Sequence, residues 1–186
     1  SEIAKIYDPL GWSLPLLIDA KLIAQGLWKV GLKWKQQLST VDSKQWAEVV
    51  ENIGDYTLNL PRLVVDRKSP TVLHLFTDAS KSAYGCAIYI QNILPDGKLA
   101  VPQLLIAKSR LYPASGNIDV SRGELVAIYI GTEVLLFTLK QLIGVLNVTK
   151  VCIYSDAEIA LCQIAKLKTS TEIFVRNRVV KVWRNL

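Results

Sequence analysis

Thr71-Val-Leu-His-Leu-Phe-Thr-Asp-Ala-Ser80 is the stretch on which the reading of this chain turns. Seven residues rich in β-formers run into Asp78-Ala79-Ser80, a turn-type cluster, so a strand is expected to close on an acid. Just before it, Asp66-Arg67-Lys68-Ser69-Pro70 packs three charges, a serine and a proline into five residues and reads as a boundary. Downstream the strand period continues. Residues 83–93 and 101–107 read as second and third strands, joined through the turn chemistry of Pro95-Asp96-Gly97. Then come a long helix from about 122 to 142, a strand at 148–154, and helices at about 156–166 and 170–184. An antiparallel three-strand meander followed by a helix crossover to a parallel strand implies a mixed sheet flanked by helices, an α/β fold.

Upstream the period is helical. Ser13 precedes Leu14-Pro15-Leu16-Leu17-Ile18, proline is tolerated in a first turn, and Gly31 is the expected stop. A second amphipathic piece at 43–53 sets Trp46, Val49, Val50 and Ile53 on one face, with Gly54 as its cap. The chain therefore divides into a small helical segment, 1–68, and an α/β domain, 69–186.

The totals fit a globular chain: 186 residues, 51% apolar and 20% charged. The most apolar run, 125–139, contains a glycine, two threonines and Glu133 and is too short to span a bilayer, so it is expected to be a core helix. No signal-peptide pattern opens the chain, and an intracellular setting, cytoplasmic or nuclear, is expected with no membrane partner. Cys86, Cys152 and Cys162 lack metal-type spacing and are read as buried free thiols. Net charge is +6, and residues 71–186 hold thirteen Lys/Arg against eight Asp/Glu. That excess points weakly towards a polyanion.

Three acids stand at the ends of regular elements. Asp78 closes the first strand, Glu124 lies in the first turn of the long helix, and Asp156 follows the fourth strand. If the first and fourth strands are parallel neighbours, their C-terminal ends bring Asp78 and Asp156 together, and Glu124 joins them from the covering helix. Clustered carboxylates repel unless a hard divalent cation sits among them, which calls for Mg²⁺ or Mn²⁺. Each acid also has a plainer explanation. Ser121-Arg-Gly-Glu124 matches a capping box, Asp156 or Ser155 could cap a helix, and Asp78 could form a turn.

Phe76-Thr-Asp-Ala-Ser80 with Ala83-Tyr-Gly85, then Ala107-Lys-Ser-Arg110, Ser121-Arg-Gly-Glu-Leu125 and Tyr154-Ser-Asp156, resemble in order and spacing the motifs of retroelement ribonuclease H domains. Ile6-Tyr-Asp-Pro-Leu-Gly11, with Ala20-Lys-Leu22 and Leu27-Trp28, resembles the end of a reverse transcriptase of the BEL/Pao retrotransposon class. The resemblance implies a ribonuclease H-like domain behind a reverse transcriptase connection or thumb-like segment. It further implies Mg²⁺-dependent hydrolysis of RNA in RNA/DNA hybrids by a two-metal mechanism. Asp78 would bridge both ions, Glu124 and Asp156 would complete one, and no covalent enzyme intermediate would form. Ala79, Ser80 and Gly85 would let the RNA backbone approach closely.

The family also has a further strand and helix, bringing a fourth acid and a mobile histidine, which this sequence does not contain. His74, four residues before Asp78, is read as structural. Either the sequence is a fragment or full activity has been lost, so the expectation is a nuclease impaired in this chain, set against a domesticated inactive module that binds protein or nucleic acid. Besides the hybrid, the partners implied are the rest of a reverse transcriptase polyprotein, or a protein at the open sheet edge. A basic face of the last helix, Arg178, Lys181 and Arg184, is expected to meet phosphate, behind a capping box at Thr169-Ser-Thr-Glu172 and an inward stripe of Val175, Val179, Val182 and Leu186.

Overall fold

A computed structural model describes the chain except for residues 1–4, 55, 56, 58, 60, 62, 116, 117 and 167–171. Two N-terminal helices, α1 (Leu14–Lys29) and α2 (Thr40–Gly54), lead into three strands, β1 (Thr71–Ala79), β2 (Ala83–Asn92) and β3 (Gln103–Leu111). After these come α3 (Val120–Leu142), β4 (Val148–Tyr154), α4 (Glu158–Ala165) and α5 (Ile173–Asn185). The sheet order is β3-β2-β1-β4, with β1–β2 and β2–β3 antiparallel and β1–β4 parallel. This is the mixed, ribonuclease H-like sheet expected from the sequence.

Two layers of core hold it together. Leu73 and Leu75 of β1, Cys86, Ile88 and Ile90 of β2, and Ile106 of β3 form one cluster with Leu135 of α3. Leu125 and Ile128 of the same helix close a second cluster with Ala160 of α4 and Val175, Val179 and Val182 of α5. Thus α3 lies between the sheet and the outer helices, which is why it is apolar nearly all round. At 23 residues it is long and apolar enough to cross a membrane by length and composition. Its two packed faces make it the core helix of this fold.

Several boundaries differ from the sequence reading, each for a local reason. Helix α2 starts three residues early because Ser39 caps it: Ser39 Oγ accepts from the Asp42 N–H at 3.1 Å and donates to the Asp42 carboxylate at 2.6 Å. Strand β3 starts after Pro102, which has no N–H to donate, and continues through Ala107-Lys-Ser-Arg110 to Leu111. In α5 the valine stripe is buried as expected, but Leu186 is 62% exposed because the helix ends before it. Residues 169–171 of the expected capping box lie outside the described residues. Of the three free cysteines Cys86 is buried, Cys152 half-buried and Cys162 exposed on α4, so the expectation of buried thiols fails for Cys162.

The N-terminal segment is fastened to the outer edge of β3. The Asp8 carboxylate accepts from the Trp12 and Ser13 N–H groups and from the Ser13 hydroxyl, closing the turn that presents Gly11. The Ala107 N–H donates to the Leu10 carbonyl at 2.7 Å, and the Trp12 indole donates to the Leu105 carbonyl at 3.3 Å. Gly11 has φ 76° and lies so close to β3 that an added Cβ would fall within 2.0 Å of the Ala107 carbonyl oxygen. Gly11→Ala should therefore lower the melting temperature by several degrees, on the order of 1–3 kcal/mol. Gly97→Ala, at φ 80° with open space around it, isolates the backbone penalty alone. Equal losses in the two variants would show that the close approach to β3 contributes nothing.

Candidate metal centre

Asp78 is the penultimate residue of β1, and Asp156 comes two residues after β4 ends at Tyr154. Parallel pairing with Phe76 opposite Tyr154 sets both acids at the same sheet end. Glu124, the fifth residue of α3, reaches the same place. One carboxylate oxygen from each lies within 4.8 Å of the others. The plainer roles are taken by other residues. Asp119 caps α3, its carboxylate accepting from the Arg122 N–H at 2.8 Å, so Glu124 is not half of a capping box. No side chain caps α4. Ser155 Oγ accepts from the Ala157 N–H at 3.3 Å, which leaves the Asp156 carboxylate free.

Glu124 is only 8% exposed, and its Oε2 has no hydrogen-bond partner. Burial pushes its carboxyl above the usual range, the charges of Asp78 and Asp156 push it further, and the Ala79 N–H draws it partly back. Among the described residues no lysine or arginine pairs with any of the three acids. The donor set is all oxygen, triply negative when ionised and without internal compensation, which is the chemistry a hard divalent ion satisfies. Its spread is close to the roughly 4.2 Å between opposite ligands of a Mg²⁺ octahedron with bonds of about 2.1 Å. Asp78 and Asp156 also line an open groove of about 640 Å³, together with Phe76, Gly85, Tyr154 and Leu161.

Glu124 reaches the site because α3 lies very close to β1. A Cβ on Gly131 would sit 2.6 Å from Thr77 Cγ2, and one on Gly123 would sit 2.0 Å from the Tyr112 hydroxyl and 3.4 Å from Ala79 Cβ. Tyr112 is a site residue that the sequence reading missed. It is buried, its hydroxyl is unpartnered, and the Glu124 charge helps burial to raise its pKa. Only its place at the end of β3 hints at it in the sequence.

The other expected residues fare differently. Gly85 lines the groove and also packs on β3, where a Cβ would meet the Lys108 carbonyl oxygen at 3.1 Å. Ala79 adjoins the cluster, its N–H donating to the Asp78 carboxylate at 2.7 Å. The Ser80 hydroxyl holds the β1–β2 turn, accepting from the Ser82 and Ala83 N–H groups. Arg178 is folded back: its guanidinium lies 3.4 Å from the Phe174 ring centroid and donates to the Phe174 carbonyl. Lys181, over the Tyr129 ring at 5.1 Å, and Arg184 are exposed. A further cation, Arg122, ties the helix starts together through Glu172 at 2.6 Å and Asp119 at 3.5 Å.

Two outcomes follow from this geometry. Gly123→Ala should drive the first turn of α3 off Tyr112 and displace Glu124, weakening any stabilisation by divalent ions. Adding Tyr112→Phe removes the clashing oxygen and should restore much of it, whereas independent effects in a melting-based double-mutant cycle would contradict the contact. The second outcome concerns pH. Because the folded pKa of Glu124 is raised, its contribution is full below the unfolded value near 4.5 and is lost as pH rises through the folded value. In EDTA, Glu124→Gln should therefore gain stability over the parent protein as pH rises towards neutral. A constant difference across that range would contradict the burial and repulsion described above.

The described geometry can be set beside known proteins. A model of the Pao retrotransposon-like RNaseH-like domain matches residues 1–157. No curated protein matches the chain. Among solved structures it is similar to the foamy viral protease-reverse transcriptase dRH in complex with double-stranded DNA, at 16% identity and TM-score 0.48, covering 98% of this chain and 31% of that one. It is similar to RNase H1 of Halobacterium salinarum, at 10% identity and TM-score 0.36, covering 63% and 76%. A third likeness is to the N-terminal RNase H domain of a Mycobacterium tuberculosis protein fused to maltose-binding protein, at 10% identity and TM-score 0.39, covering 63% and 73%. The chain spans less than a third of the foamy viral polypeptide. With 157 of its 186 residues matched by the family model, this chain belongs to the Pao retrotransposon RNaseH-like domain family.

Proposed function

We propose that this domain hydrolyses RNA in RNA/DNA hybrids with Mg²⁺ or Mn²⁺, and that residues 1–68 are the tail of the reverse transcriptase that precedes it. The observation that carries the reading is the convergence of Asp78, Glu124 and Asp156 around a buried Glu124 oxygen that has no hydrogen-bond partner among the described residues. Bound divalent ions would supply Lewis-acid activation of water and charge neutralisation at the scissile phosphate. Asp78, at the strand end and exposed, would be one of the residues that hold the ions. Glu124 and Asp156 flank it from the helix and from β4, and none of the three is needed as a nucleophile. Gly85 leaves the groove wall low beside Asp78, where a ribose 2′-hydroxyl could be told from a deoxyribose. Lys181 and Arg184 would take phosphates, with Arg178 placed as a packed support. An intracellular setting, cytoplasmic or nuclear, goes with this reading.

A second reading has its own observation. Among the described residues β4 pairs on one side only, and Val151 lies 37% exposed along the free edge. An unpaired edge strand is a template for another chain, so a catalytically silent domain could use it to hold a protein.

Both readings meet in one experiment. Millimolar Mg²⁺ or Mn²⁺ should raise the melting temperature of the parent protein and not of Asp78→Asn. On a labelled hybrid the chain should cut weakly with Mg²⁺, better with Mn²⁺ and not with Ca²⁺. The weakness is expected because the cluster holds three acids among the described residues, and loss of one catalytic group costs about 10²–10³ in rate. Equal thermal shifts in both proteins would remove the metal site. Metal binding without any cleavage would leave the second reading.

A further inference from the structure

Away from the acids, a cleft of about 940 Å³ opens between the end of α1, the segment 30–38 and the end of β3. Its floor is built by a helix stop. The Leu32 N–H donates to the Leu27 carbonyl and the Gly31 N–H to the Trp28 carbonyl, with Gly31 at φ 71°, so the chain reverses and Leu32 lies beside Leu27. The next turn is held by the Gln36 N–H on the Lys33 carbonyl at 3.0 Å. An ordered turn thus carries Trp34 to the cleft that Trp28 borders from the helix. Both indoles are exposed, Trp28 at 71% and Trp34 at 85%, which is unusual for the largest apolar side chain on a well-packed surface.

The charged residues that line the cleft are both lysines. Residues 20–38 contain Lys21, Lys29, Lys33 and Lys35 and no acid, and Lys21 and Lys33 line the cleft. Aromatic faces set among lysines are the combination that holds single-stranded nucleic acid: bases stack on the rings while phosphates meet the cations. An apolar protein partner would not need four lysines, and a free phosphate would not need two indoles. Packed contacts link the cleft wall to the acid cluster. Leu111 and Ala114 form its far wall, the Gln25 side chain donates to the Tyr112 carbonyl at 2.7 Å, and the Tyr112 ring reaches Gly123 beside Glu124.

We propose that this cleft binds a single-stranded stretch of polynucleotide, its bases stacked on Trp28 and Trp34 and its phosphates facing Lys21 and Lys33. The inference goes beyond the proposed hydrolysis and needs no metal. A strand lying here would be held at a place separate from the carboxylates, so the cleft would bind nucleic acid without touching the reacting phosphate.

The test uses the whole chain in EDTA, where no cleavage occurs, with a short fluorescein-labelled oligothymidylate followed by anisotropy and by tryptophan quenching. The parent protein should bind, with quenching. The double variant Trp28→Ala/Trp34→Ala should bind about tenfold more weakly or worse, and Trp28→Phe/Trp34→Phe should recover part of the loss. Lys21→Ala/Lys33→Ala should reduce the dependence of log affinity on log salt by about 1.4. All four side chains are at the surface or half-buried, so melting temperatures should stay at the parent value and confirm intact folds. Absence of binding by the parent, or unchanged affinity in the tryptophan variant, overturns the proposal and leaves the cleft to a protein. Loss from the lysines alone also overturns it, since that is attraction without stacking. Binding by the indoles in a chain that never cuts a hybrid would refute the hydrolysis and leave this site standing. Cleavage with an indifferent cleft would do the reverse.

Discussion

The close approach of α3 to β1 is the contact on which the rest of this structure depends. Gly123 and Gly131 occupy positions where a single added carbon would meet Tyr112, Ala79, Thr77 or Leu75. They lie two turns apart, so they share one face of the helix, with Ala127, fully buried, between them. That stripe lowers the helix onto the sheet, which lets Leu135 join the strand cluster and Leu125 and Ile128 face the outer helices. It also sets the depth of Glu124. An α3 carried an ångström or two higher would still pack, but its acid would no longer share a site with Asp78. Fold and candidate chemistry thus rest on one interface.

A tension is stored in the same place. The core would favour a neutral side chain where Glu124 lies, and burial together with two neighbouring carboxylates raises its pKa accordingly. The Ala79 N–H relieves it only in part, and among the described residues no cation pairs with Glu124, since Arg122 is spent on Asp119 and Glu172. Such an arrangement destabilises the bare protein and makes sense where a cation is to be held. By contrast Asp8 and Asp66, held below the usual carboxylate range, keep their charges in turns. At Asp8 burial opposes ionisation, but hydrogen bonds from Ser13, Trp12 and Gly11 outweigh it, and at Asp66 the Ser69 hydroxyl leads. Those acids stabilise above their unfolded pKa and lose that contribution as pH falls through the folded value.

Much of this was legible in the residues, and the illegible parts have definite causes. The strand at 71–79 and the parallel strand at 148–154 were readable because β-branched and aromatic residues are frequent there and each run is closed by an acid or a turn. Their pairing then placed Asp78 beside Asp156. The role of Glu124 was less clear, because Ser121-Arg-Gly-Glu124 spells a capping box and only the backbone reveals that Asp119 is the cap. Arg178 looked like a phosphate ligand by its spacing, yet Phe174 one turn earlier captures its guanidinium, an i,i+4 contact that competes with solvent. The cleft of Trp28 and Trp34 was missed because its walls come from segments some 85 residues apart, and Tyr112 because its contact with Gly123 depends on how α3 packs, neither of which local pattern signals.

The uncovered side of the sheet repays the same reasoning. Phe76 and Tyr154 stack at 4.6 Å between ring centroids, His74 stacks on Tyr154 and bonds its hydroxyl at 3.1 Å, and all three stand on neighbouring parallel strands. His74 is thus structural, as its distance along β1 from Asp78 implies. The central claim remains the metal centre at the end of those strands. Its most direct test is an anomalous-scattering map from a crystal of this chain soaked in Mn²⁺. A peak enclosed by the carboxylates of Asp78, Glu124 and Asp156, and absent from an Asp78→Asn crystal, is the expected result. An empty cluster alongside Mn²⁺ peaks elsewhere on the molecule would contradict it.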